Sequence, residues 1–362
     1  MKPRLVYLDS SAIVKRYVEE AGSEGGLRAV RLGAGVRFFP TLLVGWAVSA
    51  VILAHGDADG VTSAAIAKSV HRDAEVYFTH PVGLLGDFRE FALGRELVVI
   101  LDVALDERSL DELVRLLGSS GSKVVYIDHH PCGEALERLR GAGVTVFHEE
   151  GASTAELAYR FFKPPRELSR VAVYGAIGDH MVSTPWYAGM LEEWDIRSLF
   201  FEAGVLVLAL EALGRDYEEK RAVVEYLAGN NLPSRNPRLV ELAARQSLLN
   251  EELRLRVGKE ARVVGDVAYV VDPGGSLGTA AFYARVEKGV RVGVAVERRK
   301  DTCVMSLRST RDVDLNALLR KLAVKYGGHG GGHRQAAGAR IPCSALEEFL
   351  EELARSIQRS GT

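Results

Sequence analysis

The chain has 362 residues, with 46 basic and 48 acidic side chains and a formal charge of -2 at neutral pH. At roughly 150 residues per domain this length predicts about two domains. A 47% hydrophobic share is enough for real cores and excludes a mainly disordered chain. The near-zero charge argues against a protein held to nucleic acid chiefly by a bulk positive field, although it is compatible with a local basic cleft.

The opening residues, MKPRLVYLDSSAIVKRYVEE, lack the apolar core and small-residue cleavage site of a secretion signal, so the cytoplasm is the expected location. Residues 38–54 are the most apolar stretch, but they contain Pro40 and run into His55 and Asp57. A buried strand fits them better than a bilayer helix, and no membrane partner is expected. Short, unalternating apolar runs at 5–8, 48–54, 74–78, 97–101, 123–127, 144–147 and 171–177 suit strands covered on both faces. Helical patterns lie between them at 61–70, 106–117, 134–139 and 154–162. The rhythm predicts an α/β fold, a doubly wound parallel sheet. Helices are expected at 196–213 and 217–227, a linker or exposed turn at 228–237, and a charged bridging helix at 238–258. Strands then resume at 261–271, 277–287, 290–297 and 302–307, with a hairpin turn at 297–301. A helix at 314–326, a glycine-rich turn at 327–332 and a last helix at 344–356 complete a smaller α/β or α+β domain. The domains are thus an N-terminal extension (1–45), a catalytic domain (46–228), a linker (229–260) and a substrate-binding domain (261–362). Cys132, Cys303 and Cys343 are far apart without CxxC spacing, so neither a disulfide scaffold nor a cysteine zinc site is expected.

Four acidic sites each follow an apolar run. They are His55-Gly56-Asp57-Ala58-Asp59-Gly60, then Asp102, then Asp128-His129-His130, then Asp179. In extended backbone His55, Asp57 and Asp59 would share one face, and Gly60 would let the chain turn into the next helix. Ligands of open parallel sheets bind at the C-terminal strand ends, so the four sites are expected in one crevice. So many carboxylates repel one another unless divalent cations neutralise them, and mixed His and Asp donors suit manganese, zinc or iron better than calcium. Taken singly, an Asp in such a place is more often a helix cap or turn residue. Asp106 and Ser153 or Thr154 ahead of Glu156 are read as caps of that kind.

The four motifs resemble those of the DHH phosphoesterases. Gly330-Gly331-Gly332-His333 followed by Ala336-Ala337-Gly338 resembles the signature of the DHHA1 domain that accompanies many members. The resemblance runs from about Val48 to the C-terminus and implies two manganese ions. By motif position His55, Asp57 and Asp102 would hold one ion, and Asp59, Asp102, His129 and Asp179 the other, with Asp102 as the bridge. Asp128 would orient a neighbouring histidine or tune the metal water, and His130 would face the phosphate. A bridging hydroxide would be the nucleophile. In the second domain Gly330, Gly331 and Gly332 would offer backbone N–H groups to an anion, His333 would hydrogen-bond the substrate, and Arg308 would clamp a phosphate. His329 doubles the look of the signature and leaves the register of the binding loop open.

The implied activity is hydrolysis of short oligoribonucleotides or of nucleotide phosphates such as 3'-phosphoadenosine 5'-phosphate or linear dinucleotides. The expected partners are therefore short RNA, a mononucleotide or a dinucleotide, with a homodimer as the self-association considered. One alternative is a RecJ-like single-strand exonuclease, which commonly adds an OB-like domain for which this chain has no room. The other is a catalytically weak nucleotide- or nucleic-acid-binding partner in a repair or replication assembly. Residues 5–12 (LVYLDSSA) resemble the start of a PIN-type nuclease domain, but 1–45 is too short for one. Asp9 is read as non-catalytic, with helix capping as its other role.

Overall fold

Apolar residues alternate between two helix layers along the central strands of the first sheet. The computed structural model describes residues 49–359, all of which lie in one compact unit. The expectations for the strand at 5–8, Asp9 and the PIN-like segment lie outside the described residues. Strands β1 (Ala50–His55), β2 (Glu75–Thr79), β3 (Leu97–Leu101), β4 (Lys123–Asp128) and β5 (Thr145–His148) form a wholly parallel sheet in the order β2-β1-β3-β4-β5. Ile52, Ala54, Val99, Leu101, Val125 and Ile127 belong to the core on one face, whereas Val51, Leu53, Val98, Ile100, Val124 and Tyr126 belong to the core on the other. Burial on both sides explains why these runs show no polar alternation.

Helix α1 (Ala58–Val70) follows β1. The other face is covered by α2 (Leu84–Asp87), α3 (Leu110–Ser119) and α4 (Ala135–Gly141), through Leu84, Leu113, Leu117 and Leu139. α5 (Thr154–Phe162) and α6 (Ser169–Gly178) pack against α1. They are followed by α7 (Pro185–Glu193), α8 (Ile196–Leu213) and α9 (Tyr217–Ala228). The charged segment forms α10 (Pro237–Glu260), which packs on α8 at one end and on α11 (Leu277–Lys288) at the other.

The second sheet has six strands in the order β10-β11-β9-β8-β7-β6. They are β6 (Arg262–Val264), β7 (Val267–Val271), β8 (Val292–Arg299), β9 (Thr302–Ser309), β10 (His329–Gly332) and β11 (Ala336–Pro342), with β7 and β8 parallel and the other pairs antiparallel. Helices α12 (Leu315–Lys325) and α13 (Leu346–Arg359) complete this half, whose core includes Met305, Leu307, Leu319 and Phe349. The hairpin joins β8 to β9, with Lys300 at φ 54°. Among the described residues no helix is long and apolar enough to cross a membrane.

Several elements differ from expectation. Residues 171–177 lie in helix α6, not in a strand. The helix is wedged between α1, α5 and α8, so Val171, Ala172, Val173, Tyr174 and Ala176 are all buried and no period betrays the helix. Residues 277–287 are likewise helical. Ala280, Ala281 and Ala284 face inward at helical spacing, while the bulkier Phe282 and Val286 point outward. The stretch 261–271 folds as the β6–β7 hairpin. The expected glycine turn at 327–332 is largely strand β10, which runs antiparallel to β11. Asp106 does not cap α3, whose N-cap is Ser109. Cys303 and Cys343, 40 residues apart, form a disulfide between the start of β9 and the turn after β11. Spacing conceals this pair, because the antiparallel pairing of β11 with β9, in which Ile341 lies opposite Cys303, is what brings the two cysteines together.

Candidate metal centre

A sheet ordered β2-β1-β3-β4-β5 reverses direction between β1 and β3, which opens a crevice at their C-terminal ends. His55 ends β1 and Asp102 follows β3, so both stand at that crevice. His55, Asp57 and Asp59 do not share one face of an extended segment. Asp57 is the N-cap of α1, its Oδ1 accepting the Gly60 N–H at 3.0 Å, and Asp59 lies in the first helical turn. Gly60 is already helical, and its role is close approach. A Cβ there would stand 2.1 Å from the His55 carbonyl oxygen.

Asp102 adopts φ 59°, a left-handed conformation uncommon outside glycine and concentrated at functional sites. Its N–H donates to the Ile127 carbonyl at 3.1 Å, which ties it to β4. Asp128 ends β4, and His129 and His130 follow. Asp179 is the C-cap of α6, so the crevice combines three strand ends with a helix end.

These side chains converge. His129 Nε2 lies 3.4 Å from Asp179 Oδ2, 3.5 Å from Asp102 Oδ1 and 3.9 Å from Asp59 Oδ2. On the other side of Asp102, His55 Nδ1 is 2.8 Å from Asp57 Oδ2 and 3.9 Å from Asp102 Oδ2. Donor atoms of His55, Asp57 and Asp102 lie within 4.8 Å of one another, as do those of Asp59, His129 and Asp179. Asp59, Asp102 and His129 are buried, yet Asp102 Oδ2, Asp179 Oδ2 and His129 Nε2 have no hydrogen-bond partner. Buried polar atoms are nearly always paired, so the unpaired His129 Nε2 and Asp179 Oδ2 facing each other, and the unpaired Asp102 Oδ2 on the His55 side, fit cation ligation.

The electrostatics agree. Burial, and then the charges of Asp57, Asp59, Asp179 and Asp128, hold the Asp102 carboxyl well above the usual carboxylate range. Burial and Asp179 do the same to Asp59, and burial with Asp57 pushes Asp179 up to about 7. Burial and His130 lower His129 to about 4, which leaves it neutral and able to ligate. Burial opposes ionisation of Asp57, but its bond to His55 draws it below the usual range.

Asp128 spends its oxygens on other partners. Its Oδ1 lies 2.8 Å from His130 Nδ1, and its Oδ2 accepts the His130 N–H at 3.1 Å and the Tyr126 hydroxyl at 2.9 Å. Burial of His130 is outweighed by Asp128, which raises the imidazole to about 9. The His130 carbonyl accepts from Cys132 Sγ at 3.0 Å and His148 Nε2 at 2.7 Å. Tyr126, Cys132 and His148 carry no sequence signal for this task, since each reads as an ordinary strand or loop residue.

The second domain forms the opposite wall. The His333 ring lies 4.3 Å from that of His130 and 4.9 Å from that of His129. Arg308 donates to Ser306 Oγ at 3.2 Å and the Leu307 carbonyl at 3.0 Å, and the Asp179 charge reaches it. Gly330, Gly331 and Gly332 pair with Ala339, Gly338 and Ala337 along β10. The Gly332 N–H is engaged by Asn316 Oδ1 at 3.2 Å, and φ 143° there requires glycine. His329 is exposed.

A family model described as the DHH family, N-terminal domain, matches residues 49–190, and one described as the DHHA1 domain matches 266–359. The chain belongs to the DHH/DHHA1 phosphoesterase family. No curated protein matches its sequence. Among solved structures, it is similar to a DHH domain from a protein described as belonging to a family of ribosomal proteins (TM-score 0.63, 17% identity, 86% of this chain and 87% of that one). It is similar to a pGpG-specific phosphodiesterase, PggH, from Vibrio cholerae (TM-score 0.54, 14% identity, 86% and 99%). It is also similar to RecJ from Thermus thermophilus in complex with Mn2+ (TM-score 0.58, 19% identity, 87% and 54%). At these identities the likeness is one of fold. The donor set of the DHH domain fits a pair of divalent cations on its own chemistry, with imidazole and carboxylate donors on both sides of Asp102.

Proposed function

We propose that this DHH/DHHA1 protein is a manganese-dependent phosphodiesterase or phosphatase acting on short oligoribonucleotides or on nucleotide phosphates, linear dinucleotides among them. The observation that carries the reading is that buried atoms of the donor set lack a hydrogen-bond partner: His129 Nε2 and Asp179 Oδ2, 3.4 Å apart, and Asp102 Oδ2, 3.9 Å from His55 Nδ1. Bound divalent ions would supply Lewis acidity, neutralising charge that develops on phosphoryl oxygens and easing deprotonation of water at neutral pH. His55, Asp57 and Asp102 would hold one ion, and Asp59, Asp102, His129 and Asp179 the other.

The remaining residues handle the substrate. His130, held cationic by Asp128, points a positive ring at the crevice and stacks on His333, which brings the second-domain wall to the reacting phosphate. Arg308 presents a guanidinium close enough to Asp179 to share its field, where a phosphate oxygen would be gripped. Gly330–Gly332 line the wall beside His333 and let a nucleotide approach the backbone. A short substrate is favoured because the net charge of -2 gives no sign of the long positive track that single-stranded nucleic acid requires. The pGpG-specific phosphodiesterase shares the fold over 99% of its own length.

The test is one manganese-supplemented panel comparing RNA of two to five nucleotides, pGpG, 3'-phosphoadenosine 5'-phosphate and a long single-stranded DNA. Preferential cleavage of the first three is expected. Preference for the long strand would move the assignment to a RecJ-like exonuclease, and binding without turnover on any substrate would leave a binding partner.

A further inference from the structure

One buried charge near the metal centre has no part in the chemistry above. Lys220, on the first turns of α9, is 5% exposed, and lysine is rarely buried so deeply without a carboxylate partner. Among the described residues no carboxylate lies within ion-pairing distance of it. Its one hydrogen-bond acceptor is the Gly56 carbonyl, 2.5 Å from Nζ and 164 residues away in sequence. Gly56 is the peptide between His55 and Asp57, whose side chains meet at 2.8 Å. Tyr217, one turn before Lys220, closes the same place. A Cβ on Gly56 would lie 3.3 Å from its ring and 3.8 Å from Nζ. The Tyr217 ring packs in turn on Phe78 at 5.6 Å, so the start of α9 is anchored on the sheet as well as on the loop.

We infer that Lys220 is a positioning residue, whose ammonium locks the Gly56 peptide and thereby aims His55 and Asp57 at one ion. The inference rests on the metal-dependent reading above. A lysine whose only task was to hold α9 in place would be poorly chosen, because an apolar side chain of that length would fill the space without burying a charge. The ammonium is useful where it is because the loop it grips carries two donors that must keep one relative geometry. Its charge also attracts the Asp57 carboxylate. With 5% exposure it does not reach the substrate, so its influence passes through His55 and Asp57.

The experiment is manganese titration of the full chain by calorimetry, alongside steady-state kinetics at graded Mn2+ and thermal melting. Lys220→Met is expected to melt within a few degrees of the unaltered protein and to lose about 10–100-fold in affinity at one of two manganese sites, the range seen when groups that orient metal ligands are removed. Its kcat at limiting Mn2+ should fall, recover with excess Mn2+, and leave the KM for a dinucleotide unchanged. Lys220→Gln, which keeps a neutral donor, should lie between, and decides the matter if the methionine variant does not fold. Unaltered two-site manganese binding in a folded Lys220→Met or Lys220→Gln protein would overturn the inference while leaving the proposed function standing. Failure of the unaltered protein to bind manganese at all would overturn the proposed function, and this inference with it.

Discussion

The carboxylate of Asp59 rests on the amino terminus of the helix that opens at Thr154. Asp59 Oδ2 accepts the Thr154 N–H at 2.6 Å and Oδ1 accepts the Ala155 N–H at 2.8 Å, while Thr154 Oγ1 donates to Asp102 Oδ1 at 3.2 Å. One fully buried threonine therefore orients two of the proposed ligands. The helix end also suits negative charge, which offsets part of the repulsion among the acids.

Thr154→Val keeps the backbone donor and the shape and deletes the hydroxyl. Stability should fall by about 1 kcal/mol, the usual worth of one hydrogen bond. Manganese affinity should drop by about tenfold or more, because Asp102 loses its orientation. Calorimetric titration beside denaturant unfolding checks both. Unchanged manganese binding would remove Thr154 from this role.

Asp102→Asn takes one charge from a crowded set. The metal-free variant should melt higher than the metal-free unaltered protein, because the repulsion that raises the Asp102 carboxyl is gone. Added Mn2+ should no longer raise its melting temperature, and turnover should be nearly abolished, as expected if the carboxylate serves both ions. A variant that binds two ions and turns over normally would exclude Asp102 as the bridge.

The acids also set a pH dependence. Asp179 is pushed up to about 7, and Asp59 and Asp102 are raised. A raised carboxyl keeps its proton in the folded chain over a range where the unfolded chain has already lost it. These three carboxyls should therefore make metal-free stability decline as pH rises from about 4 to about 7, outweighing the opposite contribution, up to about 6.5, of His129 and His333, whose imidazoles burial lowers to about 4 and about 3; Asp179 adds nothing further above about 7. Manganese affinity should rise through the same interval, since the ligands must be deprotonated. Chelator-treated and manganese-loaded samples, unfolded in denaturant at several pH values, should show opposite slopes.

Arg308→Ala should leave manganese stoichiometry intact and raise the KM for a dinucleotide by about tenfold or more, consistent with loss of a charge-assisted phosphate contact. Metal content by elemental analysis with steady-state kinetics separates the two. Unchanged kinetics would take Arg308 out of the substrate site.

Gly60→Ala tests the packing that brings the first motif together. The new methyl would stand 2.1 Å from the His55 carbonyl oxygen, a backbone atom that cannot rotate away. A loss of about 2–3 kcal/mol is expected, in the range of overpacked core sites, and a melting temperature within a degree of the unaltered protein would contradict the geometry.

The chain's own sequence determined the donors and their order. All five strands of the parallel sheet are legible as apolar runs, and the acids and histidines at 55–59, 102 and 128–130 stand at the ends of three of them. Local pattern reaches no further than its own period. Residues 171–177 and 277–287 carry a strand-like pattern because a helix that is buried all round, or that hides alanines inward and shows aromatics outward, loses the signature by which helices are recognised. The tertiary structure alone decided that Asp179 arrives from a helix end. It also decided that Asp59 docks on a helix 95 residues later, that Cys303 meets Cys343, and that His333 stacks on His130. Those contacts depend on strand order and interlayer packing, which bring together groups that no spacing along the chain relates.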